Sequence, residues 1–328
     1  MAGIAVLGAG AWGTAIAWAL AQRHSVTLWS REMAQARAIA ATRRNDRYLP
    51  GVVLDPSVAV TADPAAAIAH ARHGLIVIAV PTGALRETLR RLCNAPGLAP
   101  LVWLCKGFER DSAKLAHEVV RDEIASHPSG PLSGPSFALE VARGLPAALT
   151  VAGPAEFCNW VTQIFHAGSL RIYSSDDVTG VEVGGAVKNV MAIATGISDA
   201  LGLGHNARAA LITRGLAEIT RLGIALGARA ETFMGLAGIG DLILTCTGEL
   251  SRNRQVGILL GRGMPLSLTL ERIGHVAEGV WSAPAVAARA LTLGVEMPLT
   301  EAVCAVLDGR STPRDALAQL LARDPKRE

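Results

Sequence analysis

The run GIAVLGAGAWGTAIAWALA, residues 3–21, constrains the fold of this chain more than any other stretch. Ile4 to Leu7 reads as a short buried strand, and the alanine-rich residues beyond Gly13 read as a helix. Gly8, Gly10 and Gly13 stand between them in GxGxxG spacing. Gly8 permits a tight turn, Gly10 lets backbone approach a pyrophosphate, and Gly13 lets helix and strand pack closely. The helix N-terminus then offers unpaired N–H groups to an anion. Directly after a strand and opening a helix, this spacing predicts a dinucleotide site. A purely structural glycine turn is the competing reading.

The next strand, Ser25 to Trp29, runs into Ser30, Arg31 and Glu32. An NAD-selective site places an acidic residue there to hold the ribose diol, whereas a guanidinium suits a 2′-phosphate. NADP or NAD is therefore the expected cofactor, with a solvated Arg31–Glu32 pair as the alternative reading. Leu75 to Pro81 and Leu101 to Glu109 read as buried strands, and AALTVAG and Leu170 to Asp177 as further ones. Lys106 falls just past its strand, where open α/β sheets bind ligands, so it is a candidate to meet a substrate anion or the cofactor. A solvated loop lysine is the bland alternative. Gly134 and Pro135 precede a helix start, and Ser136 either donates to a ligand or caps that helix.

Strand-like runs become scarce after Asp177, and long helical stretches follow. The expected fold class is α/β. A Rossmann-type dinucleotide-binding domain spans residues 1–180, and a mostly α-helical substrate and catalytic domain spans residues 181–328.

Within the first long helix, GGAVKNVMAIATG places Lys188 and Asn189 among small apolar residues. An unpaired ammonium in a core costs several kcal/mol. Gly184 and Gly185 share the face of Lys188 by helical spacing, which suits a lysine projecting into a cleft. Asn189, about 100° further round the helix, can touch a neighbouring part of the same ligand. A structural pairing of Lys188 with a carboxylate such as Glu182 stays open. A second polar island, residues 235–257, contains Asp241, Thr245 one helical turn later, and the donor-rich run Ser251, Arg252, Asn253 and Arg254. Arg252 can grip a phosphate with two parallel hydrogen bonds, and Asn253 can add an amide donor. A helix start at Ser251 and a solvated turn are the competing readings. With a nicotinamide, these residues suit carbonyl reduction: Lys188 protonates the oxygen, and Asp241 either holds Lys188 or receives a substrate hydroxyl.

Composition narrows the classes. The chain has 328 residues, half of them hydrophobic, and a net charge of only +3. No basic cluster interleaved with aromatics predicts nucleic-acid binding. No apolar run reaches the roughly 20 residues of a membrane span, so no integral membrane segment is expected, and no signal peptide is evident. Cys93, Cys105, Cys158, Cys246 and Cys304 form no CxxC pair and no zinc spacing. They read as reduced, mostly buried thiols of a cytosolic protein, and no metal site is expected.

As a set, GAGAWGTAIA, NxxYLP (Asn45 to Pro50), CKGFE, SGPSFALEVA, AVKNVMAIATGI, LAGIGDLILTC and SRNR resemble the bacterial NAD(P)-dependent glycerol-3-phosphate dehydrogenases. The resemblance implies interconversion of dihydroxyacetone phosphate and sn-glycerol 3-phosphate, feeding phospholipid synthesis in the cytoplasm, by a homodimer. It implies a catalytic role for Lys188, with Lys106 and Asp241 beside it. It places substrate contacts on Lys106, Gly134, Ser136, Lys188, Asn189, Asp241, Thr245, Ser251, Arg252 and Asn253. Cofactor contacts fall on Gly8, Gly10, Ala11, Trp12, Gly13, Arg31, Tyr48, Lys106, Ala138, Arg252, Val276 and Glu278. Ala11 departs from the serine that members often carry there, which removes a hydroxyl contact to the pyrophosphate. A β-hydroxyacid or ketopantoate-type reductase, and a non-catalytic dinucleotide-sensing protein, are the alternatives. Both explain GxGxxG and account less well for SRNR and GDLILTC.

Overall fold

The computed structural model describes residues 1–92, 97–166, 168–274 and 277–321. The chain divides into two compact units, Met1–Lys106 with Leu115–Glu182, and Gly107–Lys114 with Val183–Glu328. The short segment that follows Lys106 thus belongs with the second unit, a crossing that no composition shift announces.

The first unit is built on strands β1 (Gly3–Leu7), β2 (Ser25–Trp29), β3 (Arg44–Asn45), β4 (Leu49–Val53), β5 (Ala59–Thr61), β6 (Leu75–Ile78), β7 (Leu101–Trp103), β8 (Ser129–Ser133), β9 (Ala147–Ala152) and β10 (Leu170–Ser175). Its helices are α1 (Ala11–Ala21), α2 (Met33–Thr42), α3 (Pro64–His70), α4 (Leu85–Leu92), α5 (Ala116–Glu123), α6 (Ala138–Ala142) and α7 (Ala155–Phe165). Eight strands form one sheet in the order β10-β9-β8-β7-β6-β1-β2-β5. All neighbours are parallel except β8 and β9, where the direction reverses. The strands β3 and β4 pair separately as an antiparallel hairpin carrying the NxxYLP residues.

Successive strand side chains point to opposite faces. Ile4 and Val6 enter one core with Leu20, Val26 and Val161, while Ala5 and Leu7 enter another with Ile76, Leu89 and Trp103. Burial on both faces explains why β1 and β6 read as unbroken apolar runs. The chain leaves β1 toward β2 and β5, then returns to the other side of β1 with β6. Strand order therefore switches beside β1, the place where such sheets bind ligands beyond their carboxyl ends.

Two strands stop earlier than the sequence suggests. The strand starting at Leu75 ends at Ile78, before Pro81, which has no N–H to give a ladder. The strand starting at Leu101 ends at Trp103, well short of Glu109, and Lys106 lies three residues past it.

In the second unit the described residues form α8 (Val178–Ala200, entering from the first unit), α9 (Gly204–Ala225), α10 (Asp241–Thr247), α11 (Arg252–Gly261), α12 (Leu266–Ile273), α13 (Glu278–Thr292), α14 (Pro298–Leu307) and α15 (Pro313–Leu321). Apart from Ala194, residues 180–198 of α8 are buried. A buried helix needs no polar face, which accounts for its mostly small and apolar sequence, with Glu182, Lys188 and Asn189 as exceptions. Glu218 of α9 ties two helices together. Its carboxylate accepts hydrogen bonds from Leu299 N at 2.6 Å, Thr300 N at 3.2 Å and Thr300 Oγ1 at 3.2 Å, closing the first turn of α14. Burial nevertheless pushes the Glu218 carboxyl up to about 7, against the pull of these donors. Among the described residues, no helix is long and apolar enough to cross a membrane, and no cluster could hold a metal ion.

Candidate active site

The candidate residues divide between the two units. In the first, the turn from β1 into α1 is shaped by what the missing side chains permit. A Cβ on Gly13 would lie 1.9 Å from the Gly8 carbonyl oxygen, so only glycine lets α1 sit this close to the strand end. Gly8 has φ +123°, in the region that favours glycine. At Gly10 a Cβ would meet nothing within 4 Å, so here the backbone faces open space. Gly10 is the N-cap of α1 and supplies no side-chain cap, leaving the first N–H groups, at Ala11, Trp12 and Gly13, without one. An open, uncapped helix start fits a dinucleotide pyrophosphate.

Beside this turn, Arg31 is exposed at the end of β2. Tyr48 is half-buried, with the Arg47 guanidinium 5.0 Å from its ring centre, and Arg47 pairs with Glu32 at 3.2 Å. Beyond β7 and β8, the Gly134 carbonyl accepts from Lys106 Nζ at 3.0 Å and from Ser136 Oγ at 2.9 Å. Lys106, Gly134 and Ser136 are thereby brought together, and Ala138 begins α6 two residues later. The Ser136 hydroxyl turns to Gly134 rather than capping α6, whose N-cap is Phe137.

In the second unit, Lys188 Nζ lies 2.5 Å from Asp241 Oδ1, with the lysine 7% and the aspartate 1% exposed. Asp241 opens α10, where a negative charge is favoured by the N-terminal end of the helix. Thr245 bonds back to the Asp241 carbonyl at 2.6 Å, as their spacing predicts. Glu182, the other carboxylate considered for Lys188, is engaged within the first unit. It accepts from Trp103 Nε1 at 2.8 Å and His117 N at 2.9 Å, and its other oxygen meets His117 Nδ1 at 2.5 Å. Burial lowers the affinity of His117 for its proton, but the hydrogen bond and charge of Glu182 outweigh it and hold the imidazole above its ordinary value.

Gly184 does not provide ligand clearance. A Cβ there would lie 2.2 Å from the Ala237 carbonyl oxygen, so its missing side chain is filled by the glycine-rich segment that leads into Asp241. The glycine serves the lysine indirectly, by letting the chain that carries Asp241 approach α8.

SRNR does not act as one donor cluster. Ser251 is the N-cap of α11 and accepts from Arg254 N at 3.3 Å. Asn253 is buried, donating to Asn189 Oδ1 at 2.9 Å and accepting from Gly279 N at 2.9 Å. Arg254 pairs at 2.7 Å with Asp199, which also holds Arg208 at 2.6 Å. Of the four residues only Arg252 is exposed. Glu278 is half-buried at the start of α13, and Val276 lies outside the described residues. Cys158, Cys246 and Cys304 are buried and in no disulfide, Cys105 is half-buried, and Cys93 lies outside the described residues. Burial pushes the Cys246 thiol up to about 12.

Comparison with known proteins decides the family. The description "NAD-dependent glycerol-3-phosphate dehydrogenase N-terminus" matches residues 3–158, and its C-terminal counterpart matches residues 177–318. The chain belongs to the NAD-dependent glycerol-3-phosphate dehydrogenase family. A relative from Methylibium petroleiphilum, named glycerol-3-phosphate dehydrogenase [NAD(P)+], is 61% identical over 99% of this chain and 98% of its own. One of the same name from Cupriavidus pinatubonensis is 57% identical over 98% and 96%. The crystal structure of glycerol-3-phosphate dehydrogenase from Coxiella burnetii superposes with TM-score 0.94 at 41% identity, covering 98% of both chains. The family match extends through both the glycine turn and the Lys188–Asp241 pair, which a glycine motif shared by many dehydrogenases does not by itself require.

Three polar pairings are not read from the sequence: Asn45 with Gln35, Glu182 with Trp103 and His117, and Asp199 with Arg254. Each joins residues at least 10 positions apart, so neither periodicity nor local spacing signals it. Asn45 falls inside the quoted NxxYLP stretch, Glu182 is read only as an alternative partner of Lys188, and Arg254 only as part of SRNR.

Proposed function

We propose that this chain is an NAD(P)-dependent sn-glycerol-3-phosphate dehydrogenase that reversibly reduces dihydroxyacetone phosphate to sn-glycerol 3-phosphate. The observation that carries the reading is the buried Lys188–Asp241 pair at 2.5 Å, in a chain whose two parts both match the family. A bound nicotinamide supplies the hydride. Residues 1–180 bind the dinucleotide through the uncapped start of α1, with Arg31, Tyr48, Ala138 and Glu278 contributing around it. Residues 181–328 bind the triose. Lys188 Nζ stabilises the charge that develops on the carbonyl oxygen, transfers a proton to it, and is reprotonated from solvent. Asp241 keeps the ammonium charged and oriented. Arg252 takes the phosphate group, its exposed guanidinium being suited to a bidentate contact. Lys106, Gly134, Ser136, Asn189, Thr245, Ser251 and Asn253 complete the substrate set, by contact or by fixing the residues that make it.

The reading places the enzyme in the cytoplasm as a homodimer, supplying the glycerol backbone of phospholipids. It is tested by steady-state reduction of dihydroxyacetone phosphate and 2-ketopantoate with NADH and NADPH side by side. Turnover of the triose phosphate alone is expected. Oxidation of cofactor with ketopantoate instead, or binding of cofactor without any turnover, would overturn it.

A further inference from the structure

The carbonyl oxygen of Ala9, the middle residue of the glycine turn, is held by two side-chain amides from outside that turn. Asn45 Nδ2 donates to it at 2.9 Å and Gln35 Nε2 at 2.8 Å. Asn45 Nδ2 also reaches Thr14 Oγ1 at 2.7 Å, and that hydroxyl donates to the Gly10 carbonyl at 2.7 Å. Asn45 is 3% and Thr14 1% exposed, so these groups have little water to fall back on. A carbonyl only accepts, so the Ala9 contact fixes which end of each amide faces the turn.

The network reaches the far side of the expected cofactor site. Gln35 Oε1 accepts from Ser30 Oγ at 2.7 Å, and Ser30 Oγ accepts from Glu32 N at 3.2 Å, bracketing Arg31. Gln35 Nε2 also lies 3.4 Å from Asn45 Oδ1. One chain of hydrogen bonds thus runs from the turn at the end of β2, through Gln35 and Asn45, to the carbonyls of Ala9 and Gly10. Those two carbonyls immediately precede the N–H groups left uncapped at the start of α1.

We propose that Asn45 and Gln35 are positioning residues for the dinucleotide: they set the peptide planes of the glycine turn and couple that turn to the Ser30–Glu32 turn. The inference rests on the reading that this unit binds NAD(P). It gives the NxxYLP asparagine a task separate from hairpin formation, for which its side chain is not needed. Gln35 on α2 supplies the second arm.

The test measures dissociation constants of NADH and NADPH by quenching of tryptophan fluorescence, for the full chain and for Asn45→Ala, Asn45→Asp and Gln35→Met. Each variant is checked by thermal melting and by its KM for dihydroxyacetone phosphate at saturating cofactor. Asn45→Ala and Gln35→Met are expected to raise both dissociation constants roughly tenfold, from loss of one or two hydrogen bonds that orient the turn. The triose KM and kcat at saturation are expected to stay within about twofold, since uniform binding of the cofactor alone is lost. Asn45→Asp has the same shape but presents an acceptor to the Ala9 carbonyl, so it is expected to be worse than alanine. Should the Asn45 variants fail to fold, the half-buried Gln35→Met decides the matter. Dissociation constants within about twofold of the parent in folded variants overturn the inference, as does aspartate binding cofactor as well as asparagine. A parent chain that binds neither dinucleotide overturns the NAD(P) reading along with it.

Discussion

The glycine turn and the lysine–aspartate pair solve opposite problems. The turn between β1 and α1 presents backbone N–H groups to an anion, and its design lies in side chains that are absent. The pair in the second unit buries two opposite charges against each other. A buried charge without its partner is costly, so Lys188 and Asp241 depend on one another in a way that Gly8 and Gly10 do not. Damage to the open helix start at Gly10 should therefore appear mainly in cofactor affinity. Damage to the second should appear in stability and turnover together.

Asp241→Ala is the harshest way to break this contrast, because it leaves the Lys188 ammonium buried and unpaired. A loss of about 3–5 kcal/mol in stability is expected, with turnover falling further. Urea unfolding alongside steady-state kinetics would reveal it, and a variant as stable as the parent would show that Asp241 is not the partner on which the lysine depends. Next in size is Gly13→Ala. Its Cβ would strike the Gly8 carbonyl, so stability should fall by about 3 kcal/mol even without cofactor. Gly10→Ala sharpens the comparison, since a Cβ there meets no protein atom within 4 Å. The melting temperature should barely move, the cost being at most about 1 kcal/mol, while cofactor dissociation constants rise more than roughly tenfold. Equal effects of the two glycine variants on apo stability would refute the different roles assigned to them.

The smallest effect lies away from both regions. The folded-state pKa of Glu218 is raised to about 7, above its ordinary value of 4.5. The stability it contributes is present in full below pH 4.5 and is lost as pH rises through about 7. Glu218→Gln should flatten the fall in urea midpoint across that window, and parallel pH profiles for parent and variant would contradict the assignment.

What could be read in the sequence follows the same division. The glycine turn was legible because its chemistry is consecutive: strand, three glycines and helix lie within residues 3–21. Lys188 was legible as an anomaly, a charge in an apolar helix, and Asp241 as a residue that could hold it, but spacing alone did not choose the partner. Asp241 lies 53 residues away, and a structural pairing with Glu182, only six residues from the lysine, stayed open in the sequence, whereas the Glu182 carboxylate meets Trp103 and His117. Gly184 was recognised as making room, and spacing alone did not reveal that the room is taken by Ala237. SRNR looked like one cluster because its residues are adjacent. A helix start sends adjacent side chains in different directions, so only Arg252 remains exposed. The Asn45–Ala9 contact joins residues 36 apart and has no periodic signature at all.

The most direct test of the central claim is the turnover of dihydroxyacetone phosphate by Lys188→Met, which keeps the bulk of the side chain and removes its proton and charge. Measured with NADH and NADPH at saturation, kcat is predicted to fall by about 10²–10⁴-fold while the cofactor dissociation constants stay near those of the parent. A Lys188→Met enzyme that retains most of the parent kcat would contradict the account.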